Sequence, residues 1–365
     1  MTHLADDMAW TKMSLSDFVL LQRGHDLTWR QRKSGKVPVM GSAGVNGTHD
    51  CAIASGPGVV LGRSGASFGQ AHYVDRDYWP HNTTLYVTDF RGNDPRFAYY
   101  LLSFVDFTSY NSGGAQQSLN RNFIASIAVN VPSIPEQRRI VTALDDASDE
   151  ISGLERLIAK KQGIRQGMMQ QLLTGRTRLP GFTASWIKQC LGDVTRIKTG
   201  SRNNQDKKSG GKYPFFVRSA TVERIDTYSY DCEAILVPGE GGIGSIFHYI
   251  NGKFEVHQRV YKISDFSNGA SGRFIYYYMR QYFGAHAMEN SVKATVDSLR
   301  LPTFKNFLVQ LPSSDEQDAI VSILDDVETE LSTLRDRLQK ARAVKTGMMQ
   351  ELLTGRTRLP VEVTS

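Results

Sequence analysis

Glycines 239, 241 and 244 spell G-x-G-x-x-G, the spacing that lets a backbone approach a pyrophosphate at a helix N-terminus. Here the β-prone run SIFHYI follows, so the motif reads as a turn between strands. No G-x-x-x-x-G-K-[ST] occurs, which excludes the nucleotide-hydrolysing loop of that type. The eight histidines show neither H-E-x-x-H nor another metal-ligand spacing. Cys51, Cys190 and Cys232 are odd in number and widely spaced, without C-x-x-C, which points to no disulfide framework, no zinc site and a reducing cytoplasm. The Asn-Pro-Pro-aromatic and Asp-Pro-Pro-aromatic tetrapeptides of amino-methyltransferases are missing too. Residue patterns give no group that cuts, methylates or hydrolyses, and binding remains.

The elements that position binding residues are set by a duplication. GMMQQLLTGRTRLP at 167–180 recurs as GMMQELLTGRTRLP at 347–360, an offset of 180 residues. At that offset Glu136 and Gln137 match Glu316 and Gln317, and IVTALDD at 140–146 matches IVSILDD at 320–326. In the first copy Ile140, Leu144, Ala147, Ile151, Leu154 and Ile158 alternate steps of four and three, resuming at Met168 and Leu172. In the second the stripe is Ile320, Leu324, Val327, Leu331, Leu334 and Leu338, resuming at Met348 and Leu352. Heptad spacing of this kind predicts two long helices pairing through a coiled-coil seam, each about 57 Å long at 1.5 Å per residue. Pro135 marks the first start, Ser314 and Asp315 offer a cap for the second, and Gly175 and Gly355 suit C-terminal stops. Antiparallel pairing of the two copies is the expected arrangement.

Ahead of each helix lies a weaker repeat. Trp10, Lys12, Leu15, Asp17 and Gly24 align with Trp186, Lys188, Leu191, Asp193 and Gly200, while the interiors differ. Both interiors read as short strands broken by glycine turns and end in a short helix, at 97–105 and at 274–283. The expected fold is α+β: a globular module at 1–133, a helical region at 134–180, a second module at 181–313, and a helical region with tail at 314–365. The net charge of +6 divides unevenly over these four segments, as +1, +2, +6 and −3. A basic second module attracts a polyanion. No run of 18 apolar residues and no cationic-then-apolar leader is present, so a soluble, unexported chain is expected. Two diverged modules on a rigid spacer suit a ligand with two separated sites, and duplex DNA is such a ligand. The spacer equals roughly 17 base-pair steps, enough to hold half-sites about a helical turn apart.

Taken together, the chain resembles the specificity subunit of type I restriction-modification systems, over essentially its whole length. The resemblance rests on VPSIPEQRRI (Pro132, Pro135, Glu136, Gln137, Ile140), on LPSSDEQDAI (Pro312, Glu316, Gln317, Ile320), and on the GMMQ-LLTGR-RLP close of both copies. Asp315 replaces the proline expected before the second Glu-Gln. The resemblance implies a non-catalytic, cytoplasmic DNA reader with no cofactor of its own. It implies two methyltransferase subunits that bind S-adenosylmethionine, and restriction subunits that use ATP and Mg. The helices would be ruler and docking surface, with Val141, Met169, Leu173, Val321, Met349 and Leu353 widening the stripe, and the tail would close near Trp10.

Base reading favours Arg, Lys, Asn and Gln on glycine-rich loops, because these reach guanine or adenine edges with two hydrogen bonds. In the first module this selects Arg63, Ser64, Gln116, Gln117 and Asn120, with Arg30, Arg32, Lys33 and Lys36 for phosphates. In the second it selects Arg202, Asn203, Asn204, Lys207, Lys208, Arg218, His257, Arg259 and Lys293. Two other readings stay open: a specificity subunit serving a Type II-like methyltransferase or nuclease, and a coiled-coil scaffold whose modules bind proteins.

Overall fold

A computed structural model of the chain describes residues 10–111, 117–242, 244–289 and 298–359. It forms two compact units, Met1–Glu155 with Asp336–Ser365, and Arg156–Arg335. The long helices run Ile134–Leu172 and Ser314–Leu352, 39 residues each, so each unit holds one module and half of each helix.

In the first unit, strand Thr11–Ser14 pairs with Ala128–Val131 and leads into a four-residue helix, Leu15–Phe18. A four-stranded antiparallel sheet follows in the order Leu20–Arg23, Thr84–Asp89, Gly58–Gly62, Ala71–Val74. A three-stranded sheet orders Gly44–His49, Val37–Gly41 and Trp79–Pro80. Helix Pro95–Phe104, with Pro95 at its start and Asp94 capping the Arg96 and Phe97 amides, buries Phe97, Tyr100, Leu101 and Leu102.

The second unit repeats this plan. Ile187–Cys190 pairs with Leu308–Leu311, and helix Leu191–Val194 follows. One six-stranded sheet orders Arg196–Thr199, Val260–Ser264, Tyr230–Pro238, His248–Val256, Tyr213–Phe216 and Val222–Ile225. Continuous strand His248–Val256 does here what the broken pair 71–74 and 79–80 does in the first module. Helix Gly272–Glu289 extends well past the expected 274–283. The G-x-G-x-x-G run is a turn between strands Tyr230–Pro238 and His248–Val256. Gly244 has φ +64°, and a Cβ on it would lie 2.6 Å from Gly284 in that helix, so only glycine fits. The aligned Gly24 and Gly200 share a reason as well: a Cβ would stand 2.1 Å from the His81 carbonyl oxygen and 2.0 Å from that of Val256.

Within each unit the helix halves run antiparallel. In the first, Glu136 pairs with Arg358 and Glu150 with Arg337 at 2.9 Å. In the second, Lys161 pairs with Glu330 at 2.7 Å, Arg165 with Glu328 at 3.2 Å and Arg178 with Glu316 at 2.6 Å, the second number falling as the first rises. Ile140 and Leu144 share a core with Leu352, Leu353, Phe97 and Leu101, with Met348 against its edge. Leu172, Ile320 and Leu324 share the second core with Phe274 and Tyr277, with Met168 at its edge. Leu154, Ile158 and Leu331 are buried, while Ile151, Leu334 and Leu338 are half-covered. The seam is thus broad at the helix ends, where a module adds apolar surface, and thin at mid-length.

Helix starts differ from the expected cap. Ser314 and Asp315 lie inside the first turn, and the Gln317 amide donates to the Ser313 carbonyl, as Gln137 does to Ser133. The Glu-Gln pair has a different task. Gln137 accepts from the Asp94 amide at 2.9 Å and donates to the Asn93 side chain and the Pro132 carbonyl. Gln317 accepts from the Ser271 amide at 2.8 Å and donates to the Gly269 and Pro312 carbonyls. Each glutamine ties its module to its helix. The glutamates, 2% and 0% exposed, receive Arg358 and Arg178, whose guanidinium groups also lie over Trp10 at 5.9 Å and Trp186 at 5.7 Å. A third tie repeats: Arg96 and Tyr100 on Asp145, Arg273 and Tyr277 on Asp325. Burial, then the Asp145 hydrogen bond, pushes the Tyr100 phenol up to about 12.

Candidate nucleic-acid interface

Arg63 and Asn120 in the first module, and Asn204, Arg218 and His257 in the second, collect around the ends of strands Gly58–Gly62 and Tyr230–Pro238. The loop after the first pairs with the segment at 118–119: the Leu119 amide donates to Arg63 at 2.8 Å, and Ser64 faces Ser118. In the second module the Leu299 amide donates to Gly239 at 2.8 Å, and Glu240 faces Ser298. Each loop borders a polar recess. The first, of about 640 Å³, is lined by Gln22, Arg23, His25, Arg63, Asn120 and Arg121 among others. The second, of about 310 Å³, is lined by Asn204, Arg218, Ser219, Glu223, Glu240 and His257 among others.

Arg63 and Asn120 both line the first recess, and Ser64, next to Arg63, is half-buried. The Asn120 side chain also caps helix Arg121–Ile124 by accepting from the Asn122 amide. Gln117 is exposed, while Gln116 lies outside the described residues. Arg30, Lys33 and Lys36 are exposed on the segment before strand Val37–Gly41. Arg32 is half-buried and donates to the Asn46 carbonyl at 2.5 Å, and the Lys33 ammonium stands 3.9 Å from Asp50.

In the second module most candidates have an acidic neighbour. Arg202 lies 3.4 Å from the fully buried Glu255, Lys207 3.2 Å from Glu223, and Lys208 contacts Asp226, whose carboxyl it holds below the usual range. Arg218 and Arg259 share Glu240 at 3.4 and 3.0 Å. The basic surplus of this module is therefore partly neutralised at the named residues. The Asn203 amide donates to the Asp206 carboxylate at 2.8 Å, closing the turn Asn204–Asp206, and Asn204 is exposed. His257 is 4% exposed and forms floor rather than rim. Its Nδ1 accepts from the Arg259 amide, and burial, then Arg218 and Arg259, hold its pKa below the usual value. The neutral imidazole lines the second recess and supports its loop through the Arg259 amide. Lys293 lies outside the described residues.

Three features escaped sequence reasoning. Trp29 is 78% exposed beside Arg30, whose guanidinium sits 5.4 Å from the ring; an aromatic among basic residues was the available signal. Gln22, Arg23 and Arg121 enter the first recess only because strand Leu20–Arg23 runs past the 118–121 segment. Glu240 was overlooked because an acid is no obvious reader of a polyanion.

Among the described residues, His49, Asp50 and Cys51 bring three potential metal ligands within 4.8 Å. Their chemistry does not fit a metal. His49 Nδ1 already accepts from the Lys33 amide, which leaves the ring proton on Nε2 and no lone pair for an ion. No helix among the described residues is long and apolar enough to cross a membrane.

Two modules on one frame, joined by paired helices and each opening on a polar recess, define a recognition scaffold. The chain belongs to the type I restriction modification DNA specificity domain family, whose model matches residues 8–162 and again 184–341. It is 28% identical over 169 residues to the EcoDI type I restriction enzyme specificity subunit of Escherichia coli, which covers 46% of this chain and 37% of that subunit. It is 22% identical to the putative MjaX specificity subunit of Methanocaldococcus jannaschii, over 67% of this chain and 62% of that one. With the putative specificity subunit S.HindORF215P of Haemophilus influenzae identity is 23%, over 85% of both. The chain thus spans less than two thirds of the first two relatives' lengths. Its fold is shared with the type I S subunit from M. genitalium, at TM-score 0.71 and 16% identity over 95% of this chain and 97% of that one. A chain from a structure of type I R-M complex assembly and conformational transition gives TM-score 0.58 and 16% identity over 96% and 98%.

Proposed function

We propose that this chain is the DNA-reading subunit of a type I restriction-modification complex. Each module reads one half of a bipartite, asymmetric site, and the helices fix the spacing between the halves. The observation that carries this reading is a common frame with unlike recess linings: Arg63, Asn120 and Arg121 in one module, Asn204, Arg218 and Glu240 in the other. Conserved backbone with divergent polar rims is what reading two different half-sites requires. The chain supplies recognition only. S-adenosylmethionine, ATP and Mg belong to partner subunits, and the chemistry takes place there.

Docking of those partners falls to the helices. Ile164 is 42% exposed and Val344 59% exposed, and the two are separated by the 180-residue repeat offset. A matched apolar surface position in each repeat suits two copies of one methyltransferase subunit. Copurification tests this: the chain should retain two methyltransferase subunits per copy, and the complex should bind duplex DNA with affinity that falls steeply as salt rises. A complex that binds DNA equally from low to high salt would favour the protein-scaffold reading.

A further inference from the structure

The modules place opposite chemistry on one frame, and backbone hydrogen bonds show which residues correspond. The Arg63 amide donates to Thr83 and the Gly239 amide to Arg259, both at 2.8 Å. The His81 amide donates to Met40 at 2.9 Å, and the His257 amide to Phe216 at 3.0 Å. Ser42, Ser64 and Thr83 of the first module therefore correspond to Arg218, Glu240 and Arg259 of the second. In the first, the Ser42 hydroxyl donates to the Thr83 carbonyl at 2.5 Å, and the Ser64 amide stands 3.5 Å from that hydroxyl. In the second, two guanidinium groups hold one carboxylate.

The frame does not need the charges, because hydroxyls occupy the same places in the first module. Stability does not explain them either: the Arg218 and Arg259 side chains are 50% and 60% exposed, and ion pairs so exposed contribute little. Glu240 is the more covered partner at 24%, and it lines the recess. A carboxylate already fixed by two arginines loses little freedom on accepting one more donor. It is an acceptor only, so it repels the O6 and N7 of guanine and the O4 of thymine and favours a base that offers an exocyclic amine in the major groove.

Resting on the DNA-reading function above, we propose that Glu240, oriented by Arg218 and Arg259, selects one base of the second module's half-site. It accepts a hydrogen bond from the exocyclic amine of a cytosine or adenine. The hydroxyls of the first module both donate and accept, and they impose no such choice.

Mapping methylated motifs in a host that carries the complete complex tests this, with the chain as wild type, as Glu240→Gln, and as the triple R218S/E240S/R259T variant. The triple variant installs the residues that the first module already accommodates. In the wild type, one position of the second half-site should be restricted to a single base pair whose cytosine or adenine amine Glu240 reads. Glutamine donates as well as accepts, so Glu240→Gln should relax that position, lowering discrimination roughly 5- to 150-fold, while the other half-site stays unchanged. An unchanged motif in both variants overturns the assignment, as does a change confined to the first module's half-site. Loss of all methylation by Glu240→Gln in a complex that retains its methyltransferase subunits also overturns it, since glutamine keeps an acceptor there. A wild-type complex with no bipartite motif would instead defeat the DNA-reading function itself.

Discussion

His257 shows how a single residue reads differently in sequence and in structure. As a polar residue on a loop it suggested a contact, but the fold puts it beneath Arg218 and Arg259, where both burial and their charge oppose protonation. His81, at the matching place, and His248 are also pushed down, chiefly by burial. The folded state then binds fewer protons than the unfolded chain once pH falls below the ordinary histidine value of about 6.5, so stability is held above that pH and lost below it. The melting temperature should fall between about pH 7.5 and about pH 5.5, and His257→Asn should flatten the slope. A profile without slope in the wild type would mean solvated rings. Arg63 and Asn120 stand out in the sequence by type and loop position, and the fold brings both into the first recess. The acidic partners of the second module's cations do not: Glu223, Asp226 and Glu240 lie 16 to 22 residues from the cations they meet, and only strand pairing brings them there.

The helices were the most legible elements, because a stripe with strict spacing fixes period, length and partner together. Two things stayed hidden. Strands Thr11–Ser14 and Ile187–Cys190 are four residues long and pair more than a hundred residues away, so local pattern cannot reveal them. The Glu-Gln pair looked like a helix start, while its real work, glutamine on the module and glutamate on a distant arginine, depends on tertiary structure. Glu316 is fully buried against Arg178. Glu316→Ala should therefore lower unfolding free energy by about 3 kcal/mol, measured by denaturant titration, since the arginine loses its counter-charge. A loss under about 1 kcal/mol would show a solvated pair. On the outer face, Ile164→Arg and Val344→Arg should each reduce methyltransferase retention in copurification without changing the melting temperature, because both side chains are already largely exposed. Full retention by both variants would move docking elsewhere.

For the whole molecule, the duplication is the organising fact: each compact unit takes its helical support from both repeats, so neither half of the sequence builds a unit alone. The proposed role of the helices as a ruler is tested at this scale. A heptad inserted after Leu154 lengthens one helix by about 10 Å while keeping its stripe in phase. It should change the spacing of the methylated half-sites or abolish assembly. An active complex with unchanged spacing would rule the helices out as the ruler. The most direct test of the central claim, that each module reads its own half of the site, is to exchange residues 14–132 for another family member's module and map methylated adenines across the host genome. One half of the motif should change while the other half stays as it was. A change in both halves, or in neither, would contradict the assignment of one half-site to each module.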